Sequence, residues 1–174
     1  DLTLLGRNTL KHTDNDYGPA ALNVPTGATL TITRESTGSL LAYSAEDGAG
    51  IGGNDGQGSG PITINGGTIT AISDDDGAGI GSGREGNSGT ITINGGTITA
   101  ISEDDGAGIG SGYDRTSGPI TINGGTITAI SEDDGDGIGS GDSGTSSSIT
   151  ISGGIIIAKS EYESAMSVAP DLSA

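Results

Sequence analysis

Cysteine is absent from the chain, which excludes disulfide bracing and thiol catalysis without fixing the compartment. Phenylalanine and tryptophan are also missing, and apolar residues make up 30% of the sequence, too little for a globular core of packed aromatics. Only six lysines and arginines stand against 23 aspartates and glutamates. The resulting net charge of −17 removes electrostatic attraction to nucleic acid or an anionic membrane and makes cations the natural partners. No apolar run approaches the ~20 residues of a membrane span, and nothing resembles a signal peptide. The sequence reads as a mature or excised region whose targeting and anchoring parts lie outside it, with no membrane insertion of its own. The single histidine, His12, has no companion histidine with which to build a metal or acid–base site.

Glycine, by contrast, supplies 35 residues, a share that in an unpatterned chain would mean disorder. Here the apolar residues are strictly placed. Ile62, Ile91, Ile120 and Ile149 each open an Ile-Thr-Ile phrase, 29 residues apart, and a fixed period of that size signals a solenoid. The unit is plainest from Thr90 to Gly118. Two extended runs, Ile91 to Asn94 and Thr97 to Ser102, alternate branched apolar with polar residues and are split by Gly95-Gly96, which predicts a strand, a turn and a strand. An acidic corner, Glu103-Asp104-Asp105, leads into a third segment, Gly106 to Gly112, in which Ile109 is the one large apolar side chain. A looser loop, Tyr113 to Gly118, returns the chain to the next phrase. The expected fold is all-β: a parallel β-helix, or β-solenoid, of three-sided coils, each segment pairing with its copy 29 residues away. One coil buries too little apolar surface to offset the entropy of ordering its backbone, so coils must stack and the ends must differ.

Three regions follow from the regularity of the pattern. Residues 1–44 are expected to form an N-terminal cap and a first irregular coil, with a strand around Leu2, Leu4 and Leu5, a polar loop from Lys11 to Gly18, and a second strand from Ala20 to Val24. In this region Leu30-Thr31-Ile32 matches the Ile-Thr-Ile phrase two residues out of register. Residues 45–160 carry the regular repeats. Residues 161–174 read as a C-terminal cap or a junction, closing near Pro170, with Ser164-Ala165-Met166-Ser167 replacing Gly-Ala-Gly-Ile.

In a stack of coils, residues 29 apart form columns spaced by ~4.8 Å. Thr68 and Thr70, Thr97 and Thr99, and Thr126 and Thr128 flank an inward isoleucine, so all six point outward, and Ile72, Ile101 and Ile130 share their parity. That strip of hydroxyls, methyls and an isoleucine edge is a candidate contact face; the plainer account is that Thr and Ile suit pleated surfaces. The acidic corner gives the columns Asp75, Asp104, Asp133 and Asp76, Asp105, Asp134, with Glu46 and Asp47 at their head. Charges one coil apart repel by about 1 kcal/mol even in water. Calcium, which takes six to eight oxygen ligands, would explain such a ladder; a solvated turn with Asx-type hydrogen bonds would also do so. The corner matches neither an EF-hand loop nor the Gly-Gly-x-Gly-x-Asp calcium repeat.

Other columns are read more briefly. The loops vary most between coils, and Arg84, Tyr113 and Arg115 form a cluster able to stack on a sugar ring and bond its hydroxyls. Asn65, Asn94 and Asn123, followed by Ser152, are expected to form an internal amide ladder. Gly79, Gly81 and Gly83 leave a face almost without side chains, open to a flat partner or serving tight turning within the coil. Asp136 stands where Ala78 and Ala107 stand, so it is a buried acid needing a partner or a sign that its segment is not strictly extended. Each carboxylate cluster recurs in copies, and no His, Lys or Arg is expected to accompany the acidic columns, which argues against catalysis by split carboxylates.

The phrases GAGIGSG, ITINGGTITA and VPTGATLTIT resemble the Gly/Thr/Ile-rich repeats of secreted or surface-anchored proteins of Gram-positive bacteria. More loosely they are similar to clostridial carbohydrate-binding β-helix domains. The resemblance runs from about Ala20 to Lys159. It implies an extracellular, non-catalytic binding or adhesion module with glycan as the ligand class. Two other classes stand beside it: an ice-binding solenoid using Thr-x-Thr and Thr-x-Asn ranks, and a structural stalk or fibre, with side-by-side or end-to-end self-association open in either case.

Overall fold

The computed structural model describes residues 1–13, 18–162 and 164–166. These residues form a parallel β-solenoid of about 5 turns, with about 29 residues per turn. Three sheets run along its length. Each Ile-Thr-Ile phrase lies in a five-stranded sheet, so that Leu30–Ile32, Ile62–Ile64, Ile91–Ile93, Ile120–Ile122 and Ile149–Ile151 stack in order. The six-residue runs make a second sheet of six strands, from Arg7–His12 through Ser39–Ser44, Thr68–Ser73, Thr97–Ser102 and Thr126–Ser131 to Ile155–Lys159. Two-residue strands build the third: Leu22–Asn23 and then the Ile-Gly pairs Ile51–Gly52, Ile80–Gly81, Ile109–Gly110 and Ile138–Gly139. In the last coils the returning loop adds a small fourth side, where Thr116–Ser117 pairs with Thr145–Ser146.

The period dictates the register. Thr97 pairs with Thr68 and Thr126, Ile98 with Ile69 and Ile127, and so on through Ser102 without a slip. Strand alternation then sends Ile69, Ala71 and Ser73 inward and leaves Thr68, Thr70 and Ile72 outside, as the burial of that strand shows. The inward residues join Ile62, Ile64 and Ile80 and their copies as far as Ile138 in one continuous core, in which most isoleucines have no exposed surface. Ile151 in the last coil, expected inside as a copy of Ile64, is exposed because no further coil among the described residues covers it. The inward serines are satisfied locally: Ser73 Oγ donates to Gly48 O at 2.9 Å and Ser102 Oγ to Gly77 O at 2.8 Å. Each coil thereby hangs from the corner of the one before it.

The glycine segments are internal. A methyl group on Gly79 would lie 2.5 Å from Ile101 N and 2.8 Å from Gly108 O, so the third sheet rests directly on the backbone of the second. Tight turning, rather than an open face, accounts for that column.

The ends depart from expectation in small ways with clear causes. The first strand is Arg7–His12 rather than a run at Leu2 to Leu5, and Leu2 makes a single bridge to Ile32. The polar stretch begins later than predicted, because Lys11 and His12 belong to that strand; residues 14–17 lie outside the described ones. Leu30 pairs with Ile62 and Ser39 with Thr68, offsets of 32 and 29, so the corner beyond Arg34 is longer by three residues, not two. At the other end Met166 bridges Ile138, one position earlier than the sequence alignment places it. Glu163, Ser167 and the tail through Pro170 lie outside the described residues.

Candidate functional site

The outward strip lies on the six-stranded sheet. Thr68, Thr97 and Thr126 are exposed, while Thr70, Thr99, Thr128, Ile72, Ile101 and Ile130 are half-buried between their neighbours. The sheet extends the three columns beyond these coils. Arg7 and Ser39 precede Thr68, Thr9 and Leu41 precede Thr70, and Lys11 and Tyr43 precede Ile72. Beyond Thr126, Thr128 and Ile130 come Ile155, Ile157 and Lys159. A shallow groove opens on the N-terminal part of this face, lined by Arg7, Thr9, Ser39, Leu41, Thr68 and Thr70 among others.

Tyr43 is the residue that sequence reasoning missed. Its ring stands in the isoleucine column with the Lys11 ammonium 5.4 Å from the ring centre, a cation–π pair at the edge of the strip. The signal was available, since the match of Gly38 to Ser44 with Gly67 to Ser73 already puts Tyr43 in the place of Ile72.

The acidic corner and the variable loop meet. Arg84 N donates to Asp47 O, Tyr113 N to Asp76 O and Asp142 N to Asp105 O, at 2.8–3.0 Å, so each loop closes onto the corner of the preceding coil. This overturns the expectation that no basic residue accompanies the acidic columns. The Arg84 guanidinium lies 3.7 Å from Asp47 Oδ2 and 3.2 Å from Asp76 Oδ2. Its Cζ also stands 5.9 Å from the ring centre of Tyr113, joining two of the three predicted loop residues. Arg115 has other partners: its Nε and Nη1 donate to Glu85 O and Asp114 O, each at 2.8 Å. Glu85, Asp114 and Ser143 hold φ near +55° in this loop, in the column that Gly56 begins.

Carboxylates crowd along the corner as the columns require. Oxygens of Asp47, Asp75 and Asp76 lie within 4.8 Å of one another, as do those of Asp76, Asp104 and Asp105, and those of Asp105, Asp133 and Asp134. Burial and the Asp75 charge push the Asp76 carboxyl up to about 6 against the opposing pull of Arg84. A hydrogen bond with Asp74, then burial, raises Glu103 to about 7. Desolvation likewise raises Asp47, Asp104 and Asp105.

Two further predictions resolve plainly. The asparagine ladder exists, with Asn94 Nδ2 donating to Asn65 Oδ1 and Asn123 Nδ2 to Asn94 Oδ1 at 2.8 Å, and Ser152 Oγ closing it at 2.8 Å. It runs along the outside of the solenoid, not within it, because a corner residue escapes the in-and-out alternation of a strand. Asp136 is a buried acid that accepts from Ser140 N at 2.8 Å.

A model of the Beta helix repeat family matches residues 62–84, 91–113 and 120–142. These three stretches are β-helix repeats. Each begins at the Ile-Thr-Ile strand and ends at the loop position held by Arg84, Tyr113 or Asp142, so the repeats span the strip, the corner and the contact between corner and loop. No curated protein and no solved structure matches the chain significantly.

Proposed function

We propose that the chain is a non-catalytic, extracellular binding module that contacts an extended glycan through the outward face of its six-stranded sheet. The observation that carries this reading is the registration of Thr-x-Thr-x-Ile across three successive coils. Rigid backbone pairing holds six hydroxyls and three apolar edges at the coil spacing of ~4.8 Å, a pattern suited to a ligand that is itself a repeating polymer. Tyr43, Lys11 and Arg7 at one end of the strip add a ring and two cations, groups that stack on sugar faces and bond sugar hydroxyls. Glycan rather than another polymer rests on the resemblance of the repeats to carbohydrate-binding solenoids. The acidic clusters recur in copies instead of forming one constellation of distinct roles, which supports a non-catalytic reading.

The decisive variant is Thr97→Lys with Thr99→Lys. Both side chains point away from the core, so melting should shift little, and two long charged chains would break the strip at its middle. The parent should be retained on an insoluble polysaccharide such as pectin or cellulose, and the double variant should wash through. A parent that shows thermal hysteresis and no retention would replace glycan by ice as the ligand of the same face. Retention unchanged in the variant would refute the strip as the contact surface.

A further inference from the structure

The three carboxylate groups along the corner are alike in sequence but not in surroundings. In the first, Asp47 is the interior member: its side chain is 5% exposed, whereas the Arg84 side chain beside it is 40% exposed. One of its carboxylate oxygens, Oδ2, reaches Arg84 at 3.7 Å. The other, Oδ1, is buried without a hydrogen-bond partner among the described residues. An ionised oxygen out of water and unpaired is costly, and native structures rarely keep one without a proton, a water or an ion to meet it. The charge count points the same way. Asp47, Asp75 and Asp76 bring three negative charges to one place and Arg84 returns one positive charge, which leaves a deficit of two. Asp55 and Glu46 nearby deepen the negative field.

From these observations we infer that the corner formed by Asp47, Asp75 and Asp76 is a binding site for one divalent cation, calcium by its ligand chemistry. The donors are all oxygens. Oxygens within 4.8 Å of one another fit around a single ion, because ligands held at 2.3–2.6 Å on opposite sides of calcium stand about 4.6–5.2 Å apart. A divalent ion makes the three carboxylates and the guanidinium neutral as a set, and it compensates a carboxylate that burial leaves with only one oxygen partnered. Arg84 closes the outer side, with the Tyr113 ring next to it. The strip on the second sheet takes no part, so this site stands or falls independently of glycan binding.

The test uses the whole chain freed of metal by chelation. Calorimetric titration with calcium should give saturable binding, and terbium should bind with tyrosine-sensitised emission that calcium reverses. Asp47→Asn and Asp75→Asn should each weaken calcium binding at least tenfold while melting cooperatively in the absence of metal; Asp75 is the less buried, so it carries the test if Asp47→Asn fails to fold. Tyr113→Phe should lower the sensitised emission, leaving the share from Tyr43, which meets Asp74 beside the site, and should leave the calorimetric affinity unchanged. Absence of calcium binding would overturn the inference. So would affinity unchanged in both aspartate variants, which would put the ion at another corner, or a rise in melting temperature that sodium reproduces at equal ionic strength.

Discussion

Replacing Gly79 by alanine tests whether the third sheet rests on the backbone of the second. The added methyl carbon would stand 2.5 Å from Ile101 N and 2.8 Å from both Gly108 O and Ile101 O, and none of these atoms belongs to a side chain that can swing aside. Restoring ordinary contact at ~3.4 Å requires the two sheets to part by nearly 1 Å, a gap that forfeits a quarter to a half of the dispersion attraction across it. It also stretches the bonds from Gly79 N to Ala107 O and Ile80 N to Gly108 O, now 3.1 and 3.0 Å. Overpacking of this kind costs about 1–3 kcal/mol, and weakening two buried hydrogen bonds adds about 1–2. The expected loss is therefore about 2–5 kcal/mol, or on the order of 10 °C in melting temperature for a chain of this size. Gly56→Ala is the control. Its φ is +66°, but nothing lies within 4 Å of the added carbon, and Glu85, Asp114 and Ser143 hold the same conformation in the same column. It should cost about 1 kcal/mol. Thermal and urea unfolding followed by circular dichroism will compare the two. If Gly79→Ala melts no lower than Gly56→Ala, the sheets do not touch as described.

Two further outcomes are expected. Ile98→Asp places an unpaired charge in the middle of a core position with 1% exposure and should abolish cooperative unfolding; a melt within a degree or two of the parent would remove the inward assignment. In metal-free protein, stability should fall as pH rises from 5 to 8. The folded state raises Glu103 to about 7 and Asp76 to about 6, so the contribution of their protonated forms is fully present below the ordinary values of 4.5 and 3.8 and is lost as pH passes through 6 and 7. Glu103→Gln should flatten the upper part of that slope, and an unchanged pH profile would remove the Asp74 to Glu103 hydrogen bond as its cause.

The solenoid was legible because its period and its alternation are both sequence properties. Ile69 and Thr70 declare their sides by parity, and Ile62 finds Ile91 by the 29-residue repeat. What stayed hidden depends on how a coil closes. Asp76 and Arg84 are separated by the whole third segment, and bonds such as that from Arg84 N to Asp47 O, which the repeat pattern does not encode, reveal that loop and corner share a side. Asn94 faces outward against the sequence expectation for a related reason, since parity lapses where strand geometry lapses. At the ends, the extra residues after Arg34 and the place of Met166 turn on corner length, which no repeat constrains.

Residue-for-residue pairing between coils has a consequence for how such a chain can change. Removing or duplicating 29 residues within the regular coils that begin at Ile62 leaves every column in phase, since Thr97–Ser102 and Thr126–Ser131 already occupy interchangeable positions. A segment of any other length must be absorbed at a corner, as the extra residues after Arg34 are. Length in this molecule is therefore counted in whole steps of ~4.8 Å. In-frame duplication of one coil is a mutation that lengthens the rod and adds one more rank to its outer surface, while the packing inside meets nothing new.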